Sequence, residues 1–221
     1  MQGDPPLVTR KTWTWRCALA VLRVGYFLFW RRSVVGHQHV PRSGPVILVS
    51  NHQSFLDIPL MAIAVDHRHV AFAARRSLVD NAFLRFVFAR VGVILVDPGR
   101  GDRSVLRRMI EHVEAGDALG IFPEGTRSAD GELLEPKKGA LLVARTTGAP
   151  IIPCAVSGTR EAWPRGARWP RPGKVRIEFA AAVDGSRPDA LDVAWERIAS
   201  MLAESSEAAS SASDTSIHNN P

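Results

Sequence analysis

A chain of 221 residues, 46% of them hydrophobic and 23% charged, has the length and apolar content of one globular domain. The apolar fraction excludes an intrinsically disordered chain, and two cysteines are too few for a disulfide-built secreted scaffold. The 28 Lys and Arg residues outnumber the 22 Asp and Glu residues, for a formal net charge of +6. Residues 204–221 contain three acidic and no basic residues, which leaves a net charge of +9 on residues 1–203. This balance favours a phosphate-bearing partner: nucleic acid, an anionic membrane surface or a phosphorylated metabolite.

The N-terminal segment is apolar and carries a narrow basic stripe. Residues Trp13–Trp30 are nearly all apolar, and about 20 such residues would cross a bilayer, but Arg16 and Arg23 interrupt this run. On a helix, Thr12, Arg16 and Arg23 fall within roughly 40° of one another, which leaves most of the remaining surface apolar. We therefore predict that residues 1–33 form an amphipathic helical segment that lies in a membrane interface. A helix packed against the domain's own core and a true membrane span are the alternatives.

Further basic residues flank this segment on both sides. They are Arg10 and Lys11 before it, and Arg31 and Arg32 after it. A cleaved signal peptide is not expected, because arginines interrupt the apolar stretch and no small-x-small cleavage pattern follows. The predicted location is the cytoplasmic face of the cell membrane, with the chain attached as a peripheral or monotopic protein through its N-terminal helix.

The rest of the chain alternates between strand and helix patterns. The predicted strands are Val46–Val49, Val70–Ala73, Val93–Val96, Leu119–Phe122, Ile151–Val156 and Val175–Phe179. The predicted helices are Ile58–Val65, Asn81–Val91, Arg103–Glu114, Gly139–Thr147 and Asp189–Leu202. This alternation predicts an α/β domain over residues 34–203, with a mostly parallel sheet flanked by helices. Residues 204–221, rich in Ser and Ala, are predicted to form a disordered tail.

A histidine and an aspartate follow the first of these strands. Val46–Val49 leads into Ser50, and His52 and Asp57 come just past that strand end, where open α/β sheets bind their ligands. Histidine accepts a proton near neutral pH, and a carboxylate on its other ring nitrogen fixes the tautomer. The pair can therefore activate a hydroxyl, provided that a turn rather than a regular helix joins the two residues. In the alternative interpretation, Asp57 caps a helix and His52 is a loop residue.

A second cluster of polar residues, Phe122–Ser128, also follows a strand. Gly125 allows a close backbone approach, Thr126 offers a hydroxyl, and Arg127 offers a guanidinium that binds phosphate through two hydrogen bonds. Lys137 precedes a predicted helix, whose N-terminal amides favour the same anion. This pattern predicts an anion-binding turn, and a surface turn with solvated charges is the alternative.

Together, Asn51–Asp57 and Phe122–Ser128 resemble the glycerolipid acyltransferases of the lysophosphatidic acid acyltransferase type. The resemblance covers roughly residues 42–180. Further similarity is found in Arg75–Leu78, Gly92–Asp97, Lys137–Ala140 and Pro150–Pro153. The resemblance implies that His52, oriented by Asp57, deprotonates an acceptor hydroxyl, which then attacks the thioester of acyl-CoA or acyl carrier protein. It implies 1-acyl-sn-glycerol-3-phosphate as the acceptor and phosphatidic acid as the product.

The resemblance also implies a site for the acceptor's phosphate. Its predicted members are Glu124, Gly125, Thr126, Arg127, Arg75, Arg76, Arg100 and Lys137. One departure concerns Asp97, which is followed here by Pro98 where the family usually has an arginine, so that Arg100 or Arg103 is left to take that place. Glycerol-3-phosphate, another lysophospholipid or a lyso-aminolipid remain alternative acceptors, and a non-catalytic lipid-binding protein is an alternative function. No metal or resident cofactor is expected, and nucleic acid is not an expected partner.

A second basic stretch contains two tryptophans, Trp163 and Trp169. Its basic residues are Arg160, Arg165, Arg168, Arg171, Lys174 and Arg176. Aromatic residues among cations are typical of surfaces that bind nucleic acid or lipid headgroups. We expect this stretch to contact anionic lipid or the phosphates of CoA, with a solvated proline-rich loop as the alternative.

Overall fold

The structure, a computed structural model, describes residues 13–75, 93–96, 103–164 and 166–217. In chain order its helices are α1 Trp13–Phe29, α2 Asp57–Ala64, α3 Arg103–Glu114, α4 Gly139–Thr147, α5 Thr159–Ala162 and α6 Ala190–Ile217. Its strands are β1 Trp30–Val35, β2 Val46–Ser50, β3 Val70–Arg75, β4 Val93–Val96, β5 Ala118–Ile121, β6 Ile151–Ser157 and β7 Gly173–Phe179. The helix predicted for Asn81–Val91 lies outside the described residues.

The described strands form one seven-stranded sheet in the order β1-β7-β6-β2-β5-β3-β4. Neighbouring strands are parallel throughout, except that β6 and β7 are antiparallel. Each strand predicted from the sequence is present, with its ends shifted by at most two residues. The prediction of an α/β fold with a mostly parallel sheet flanked by helices is therefore confirmed.

The central strand β2 is apolar on both faces because helices cover both sides of the sheet. Val46 and Leu48 belong to one hydrophobic cluster, with side chains from α1 and α2. Ile47 and Val49 belong to the other cluster, with side chains from α3, α4 and α6. Successive side chains of a strand point to opposite faces, so a continuous apolar run is what a strand buried on both sides requires.

The carboxyl ends of β2, β5 and β3 lie at the same edge of the sheet, since these strands are mutually parallel. The loop after β2 and the loop after β5 therefore leave the sheet side by side. A backbone hydrogen bond joins them, in which the Ser128 amide donates to the His52 carbonyl at 2.8 Å. The two sequence clusters, about 70 residues apart, are thus neighbours in space.

The predicted boundary at residue 33 needs correction, because the N-terminal segment is continuous with the domain. Strand β1 begins at Trp30 and pairs in parallel with β7, with Trp30 opposite Gly173. The Trp30 indole also donates a hydrogen bond to the Arg171 carbonyl at 2.8 Å. Residues 30–35 are therefore part of the sheet rather than of a separate membrane segment. Among the described residues, no helix has both the length and the apolar character needed to cross a membrane.

The predicted disordered tail at residues 204–221 also differs from the structure. Helix α6 begins at Ala190 and continues to Ile217, well past Leu202, where we predicted the last helix to end. The extension contains alanines and glutamates, which have high helix propensity, so the loss of apolar periodicity after Leu202 does not end the helix.

Core packing on β2 predicts a large stability difference between two leucine substitutions. Leu48 is completely buried, whereas Leu142 on α4 is 49% exposed. We expect Leu48→Ala to lower the free energy of unfolding by about 3 kcal/mol, because the lost methyl groups leave a cavity. Leu142→Ala serves as the control and should cost less than about 1 kcal/mol. Equal losses in urea unfolding would contradict a core centred on β2.

Candidate active site

The imidazole of His52 and the carboxylate of Asp57 are directly hydrogen-bonded. His52 Nδ1 lies 2.8 Å from Asp57 Oδ2. Residues 51–56 form an irregular turn after β2, and α2 begins at Asp57, so the five-residue step is not a regular helix. This is the turn that the spacing of the two residues requires. The interpretation of Asp57 as a helix cap does not match, since its carboxylate binds the turn before the helix.

The Asp57 carboxylate is completely buried and fully hydrogen-bonded. Besides His52 Nδ1, its Oδ2 accepts the backbone amides of Gln53 at 2.7 Å and Ser54 at 2.8 Å. Its Oδ1 accepts the Thr159 hydroxyl at 2.5 Å. Charge-assisted hydrogen bonds and the N-terminus of α2 stabilise a buried negative charge here. The carboxylate therefore has the partners that an ionised group needs away from water.

The ring of His52 is held in one orientation and one tautomer. An ionised carboxylate accepts only, so Nδ1 carries the proton and donates it to Asp57, which leaves Nε2 as a proton acceptor. The ring stacks on Phe122, with centroids 4.3 Å apart and planes at 26°. The side chain is 17% exposed, so Nε2 belongs to a ring that is packed on one face and still reaches the surface.

Asn51 fixes the end of β2 beside β6. Its side-chain amide donates to the Val156 carbonyl at 2.9 Å, and its Oδ1 accepts the Val156 amide at 2.8 Å. The residue is buried, so both bonds are shielded from water. This pair continues the sheet pairing by one residue through a side chain and sets where the turn that carries His52 begins.

Glu124, which we predicted to be part of the phosphate site, bridges two backbone amides. It is 3% exposed, and its two oxygens accept the His52 amide at 2.6 Å and the Leu134 amide at 3.1 Å. Burial raises the pKa of Glu124 above its ordinary value, while the hydrogen bonds from these two amides oppose that rise. Glu124 therefore ties the His52 backbone to that of Leu134, and its contact with a ligand stays a prediction.

The remaining residues of this loop form a basic surface next to His52. Gly125 has a φ of +68°, and a Cβ atom at this position would lie 2.7 Å from Lys137 Nζ. Lys137 therefore lies close against Gly125, where a side chain would displace it. The Arg127 guanidinium carbon lies 3.8 Å from the centre of the Phe55 ring. Thr126 is half-buried and lies between Gly125 and Arg127 in sequence.

The other predicted phosphate ligands are only partly described. Arg75 is the last residue of β3, and its backbone lies at the same sheet edge as the loops after β2 and β5. Arg76 and Arg100 lie outside the described residues. Arg103 begins α3 and is exposed.

Sequence reasoning missed Thr159, although a signal was available. Thr159 follows the end of β6, just as His52 follows the end of β2. The rule that strand ends carry functional side chains therefore applies to it equally. What the sequence does not show is that β6 is the neighbour of β2, which brings Thr159 to Asp57 across 102 residues.

A solvent-open groove of about 1360 Å³ lies beside the His52 turn, with Gln53 in its lining. Strands β1 and β7, helix α6 and the loop around Gly131 form its other walls. The charged residues along it are Arg31, Arg32, Asp130, Glu132, Arg160, Glu161, Lys174, Arg176 and Glu204. Charged residues of both signs are present, and apolar side chains such as Leu133, Val175 and Leu202 lie among them.

A buried carboxylate that orients a histidine, next to a basic loop at the carboxyl edge of a parallel sheet, is an arrangement that can accept a proton from the hydroxyl of an anionic substrate. The family model described as Acyltransferase matches residues 31–157, more than half of the chain. The chain belongs to this acyltransferase family.

Named relatives specify the family further. Over 81% of its length the chain is 33% identical to a chloroplastic 1-acyl-sn-glycerol-3-phosphate acyltransferase of Brassica napus, covering 53% of that protein. It is 32% identical to the bovine 1-acyl-sn-glycerol-3-phosphate acyltransferase alpha over 81% of its length, covering 64% of that protein. The crystal structure of the 1-acyl-sn-glycerophosphate acyltransferase PlsC from Thermotoga maritima matches with a TM-score of 0.75 and 31% identity. That match covers 86% of this chain and 80% of that one.

The chain spans about half to two thirds of the length of these curated relatives. The family model covers residues 31–157 and so includes both loops of the site, whereas Thr159 lies two residues beyond it.

The hydrogen bond between Thr159 and Asp57 predicts a cost for removing one hydroxyl. We expect Thr159→Val, which keeps the side-chain shape, to lower the free energy of unfolding by about 3 kcal/mol, because a buried carboxylate loses a donor. Thr159→Ser is the matched control, which keeps the hydroxyl and should cost about 1 kcal/mol for its lost methyl group. Urea unfolding measures both values. A valine variant as stable as the serine variant would contradict the proposed contact.

Proposed function

We propose that the protein transfers a fatty acyl group from an acyl thioester to the 2-hydroxyl of 1-acyl-sn-glycerol-3-phosphate, which yields phosphatidic acid. The observation that carries this proposal is the hydrogen bond of 2.8 Å between His52 and the buried Asp57, beside a basic loop. The relatives that bear the name 1-acyl-sn-glycerol-3-phosphate acyltransferase support the choice of acceptor. A lipid-binding protein without catalysis has no use for an imidazole oriented by a buried carboxylate.

In the first step, His52 acts as the general base. Its Nε2 accepts the proton of the acceptor hydroxyl while that oxygen attacks the carbonyl carbon of the thioester. The negative charge moves onto the carbonyl oxygen of a tetrahedral intermediate. Asp57 stabilises the imidazolium that forms, because its charge faces the protonated ring through Nδ1.

In the second step, the tetrahedral intermediate collapses and the carbon–sulfur bond breaks. The carbonyl re-forms as an ester, the sulfur leaves with the bonding electron pair, and the proton on His52 Nε2 passes to it as a thiol. His52 returns to its starting state, so the cycle balances without a covalent enzyme intermediate. Cys154 has no part in it, since it is completely buried in β6 and burial raises the pKa of its thiol well above the ordinary value.

The acceptor's phosphate is proposed to bind the basic loop after β5. Lys137 lies close to Gly125, which has no side chain to displace it. Arg127 offers a planar guanidinium that pairs with phosphate oxygens. Thr126 lies between Gly125 and Arg127 in sequence, and its hydroxyl offers a further donor. Arg75, Arg76 and Arg100 remain proposed partners of the same phosphate.

The acyl donor is proposed to be acyl-CoA or acyl carrier protein. The groove that Gln53 lines gives the polar carrier a surface next to the catalytic turn, because Gln53 follows His52 directly. The acyl chains of donor and acceptor then remain on the side of the protein that faces the bilayer.

Helix α1 is proposed to attach the protein to the cytoplasmic face of the cell membrane. Tyr26 and Arg23 face the domain: the Tyr26 hydroxyl donates to the Leu56 carbonyl at 2.6 Å, and Arg23 pairs with Asp66 at 2.6 Å. Burial raises the pKa of Tyr26 far above its ordinary value, so this hydroxyl stays a donor. Val24 and Leu28, which are 58% and 69% exposed, face away from the domain.

This arrangement leaves an apolar helix face uncovered. At about 100° per residue, Trp13, Val24 and Leu28 lie within about 60° of one another, and Tyr26 points to the opposite side. Trp13 is 78% exposed. A helix that turns its polar contacts inward and its apolar side chains outward fits a lipid interface. The alternative of α1 packed wholly in the domain's own core does not fit these exposures.

The proposed base predicts the loss of acyl transfer in His52→Ala. We expect kcat/KM to fall about 10²- to 10⁴-fold, the range of general base catalysis. His37→Ala, which removes an exposed imidazole at the turn after β1, is the matched control and should keep full activity. Phosphatidic acid formed from a radiolabelled thioester measures both. Near-normal turnover by a folded His52→Ala protein would reject the proposed mechanism.

The proposed phosphate site predicts a selective effect of Arg127→Ala. We expect the KM for 1-acyl-sn-glycerol-3-phosphate to rise about 10- to 100-fold, because a charge-assisted hydrogen bond to the phosphate is lost. Monoacylglycerol, which lacks the phosphate, should be acylated at the same low rate by both proteins. Arg107→Ala on α3, which removes an 80% exposed arginine, is the control. An unchanged KM would remove Arg127 from the phosphate site.

A further inference from the structure

The segment between α5 and β7 exposes a tryptophan in a basic setting. Trp169 is 71% exposed, and Arg168 and Arg171 on either side of it are exposed as well. Residues 164–174 contain three arginines and one lysine but no acidic residue. The mechanism proposed above makes no use of this segment, so its composition calls for another role.

This segment is well anchored, so the exposure of Trp169 is not the result of a loose loop. The Arg171 amide donates to the Ala162 carbonyl at 2.7 Å, and the Arg171 carbonyl accepts the Trp30 indole at 2.8 Å. The Trp163 indole donates to the Ala167 carbonyl at 3.0 Å. These bonds hold both ends of the segment and leave Trp169 at its outer turn.

The bond from Trp30 connects the segment to the C-terminal end of α1. Trp30 follows Leu28 and Phe29, which are 69% and 54% exposed. The rings of Phe29 and Trp30 are 5.8 Å apart, and Trp30 is bonded to Arg171, two residues from Trp169. The ring of Phe29 and the backbone of Arg171 therefore both neighbour Trp30.

Trp163, which lies directly before the segment, contacts the turn that carries His52. The Ser54 hydroxyl donates to the Trp163 carbonyl at 3.0 Å, and the rings of Phe55 and Trp163 are 6.1 Å apart. Phe55 is 47% exposed and carries the Arg127 guanidinium on its ring. The segment therefore lies next to the catalytic turn and the basic loop, and so does any surface that the segment binds.

We propose that residues 166–172 are a second membrane-contact element, with Trp169 at headgroup depth and Arg168 and Arg171 against the phosphates of anionic lipids. Tryptophan is typical of the membrane–water interface, and arginine extends its charge to lipid phosphates while its stem lies among apolar groups. The exposed Phe29, whose ring lies 5.8 Å from that of Trp30, favours a bilayer over nucleic acid, because an exposed apolar group suits lipid tails and has no partner on a phosphate backbone.

This inference rests on the proposed attachment of α1 and adds an orientation to it. A single interfacial helix leaves the domain free to tilt relative to the bilayer. A second contact next to the His52 turn limits that tilt, so that the catalytic turn faces the bilayer from which the acceptor comes. The segment acts by positioning and makes no contact with the reacting atoms.

A fluorescent label at residue 169 tests the contact directly. The exposed Cys17 is replaced by serine, the buried Cys154 is kept, and Trp169→Cys carries a polarity-sensitive nitrobenzoxadiazole label. With vesicles of phosphatidylcholine and phosphatidylglycerol, its emission should shift to the blue, and brominated lipids should quench it. The control is Leu142→Cys with the same label, which should stay in water because Leu142 is exposed on α4, away from the segment.

Vesicle sedimentation of Arg168→Gln/Arg171→Gln gives an independent measure. We expect its affinity for anionic vesicles to fall about 25-fold, since each cation near the surface contributes roughly fivefold. Arg107→Gln/Arg187→Gln, with the same change in charge at exposed positions of α3 and of the turn before α6, should bind within about twofold of wild type.

The outcomes separate this inference from the proposed function. A label at residue 169 that stays in water while the protein sediments with vesicles overturns the second contact and leaves the α1 attachment intact. A protein that does not sediment overturns both membrane contacts, although acyl transfer to soluble short-chain acceptors can still be measured. A label that responds to single-stranded RNA and not to vesicles replaces the bilayer with nucleic acid.

Discussion

The buried carboxylate of Asp57 is the constraint on which the rest of the site depends. An ionised carboxylate removed from water is tolerated only where donors replace its hydration, and Asp57 receives four of them. Two come from the turn itself, one from Thr159 after β6, and the last from His52. The imidazole is therefore part of the set that makes burial of the charge acceptable, and its orientation follows from that requirement. The hydrogen bonds that stabilise the buried Asp57 charge therefore also hold His52, the residue that takes the proton in the proposed reaction.

Glu124 connects this turn to the basic loop after β5. One of its oxygens accepts the His52 amide, and the Ser128 amide returns a bond to the His52 carbonyl. The base and the proposed phosphate ligands are thus parts of one hydrogen-bonded unit, although 70 residues separate them in sequence. A displaced loop would move the base as well. Proximity of this kind is what an acyl transfer between two bound substrates requires from the protein.

Much of the fold could be predicted because continuous apolar runs identify the central strands and helical periodicity identifies the helices. The His52–Asp57 pair was predictable because both residues lie within one turn. Strand β1 was not predictable from the sequence, because Trp30-Arg31-Arg32 resembles α1 in combining apolar and basic residues. The strand that pairs with β1 is β7, which is more than 130 residues away. The position of Glu124 depends on a backbone amide 72 residues away, and the length of α6 on helix propensity without an apolar stripe. These features depend on tertiary contacts that no local pattern encodes.

Product analysis of purified protein tests the central claim most directly. The protein is incubated with palmitoyl-CoA and 1-acyl-sn-glycerol-3-phosphate, and thiol release and lipid products are measured together, for wild type and for Asp57→Asn. The account predicts one phosphatidic acid for each thiol released by wild type, and a large loss of both in Asp57→Asn, whose amide no longer fixes the His52 tautomer. Thiol release without phosphatidic acid, or an Asp57→Asn protein with wild-type turnover, would contradict it.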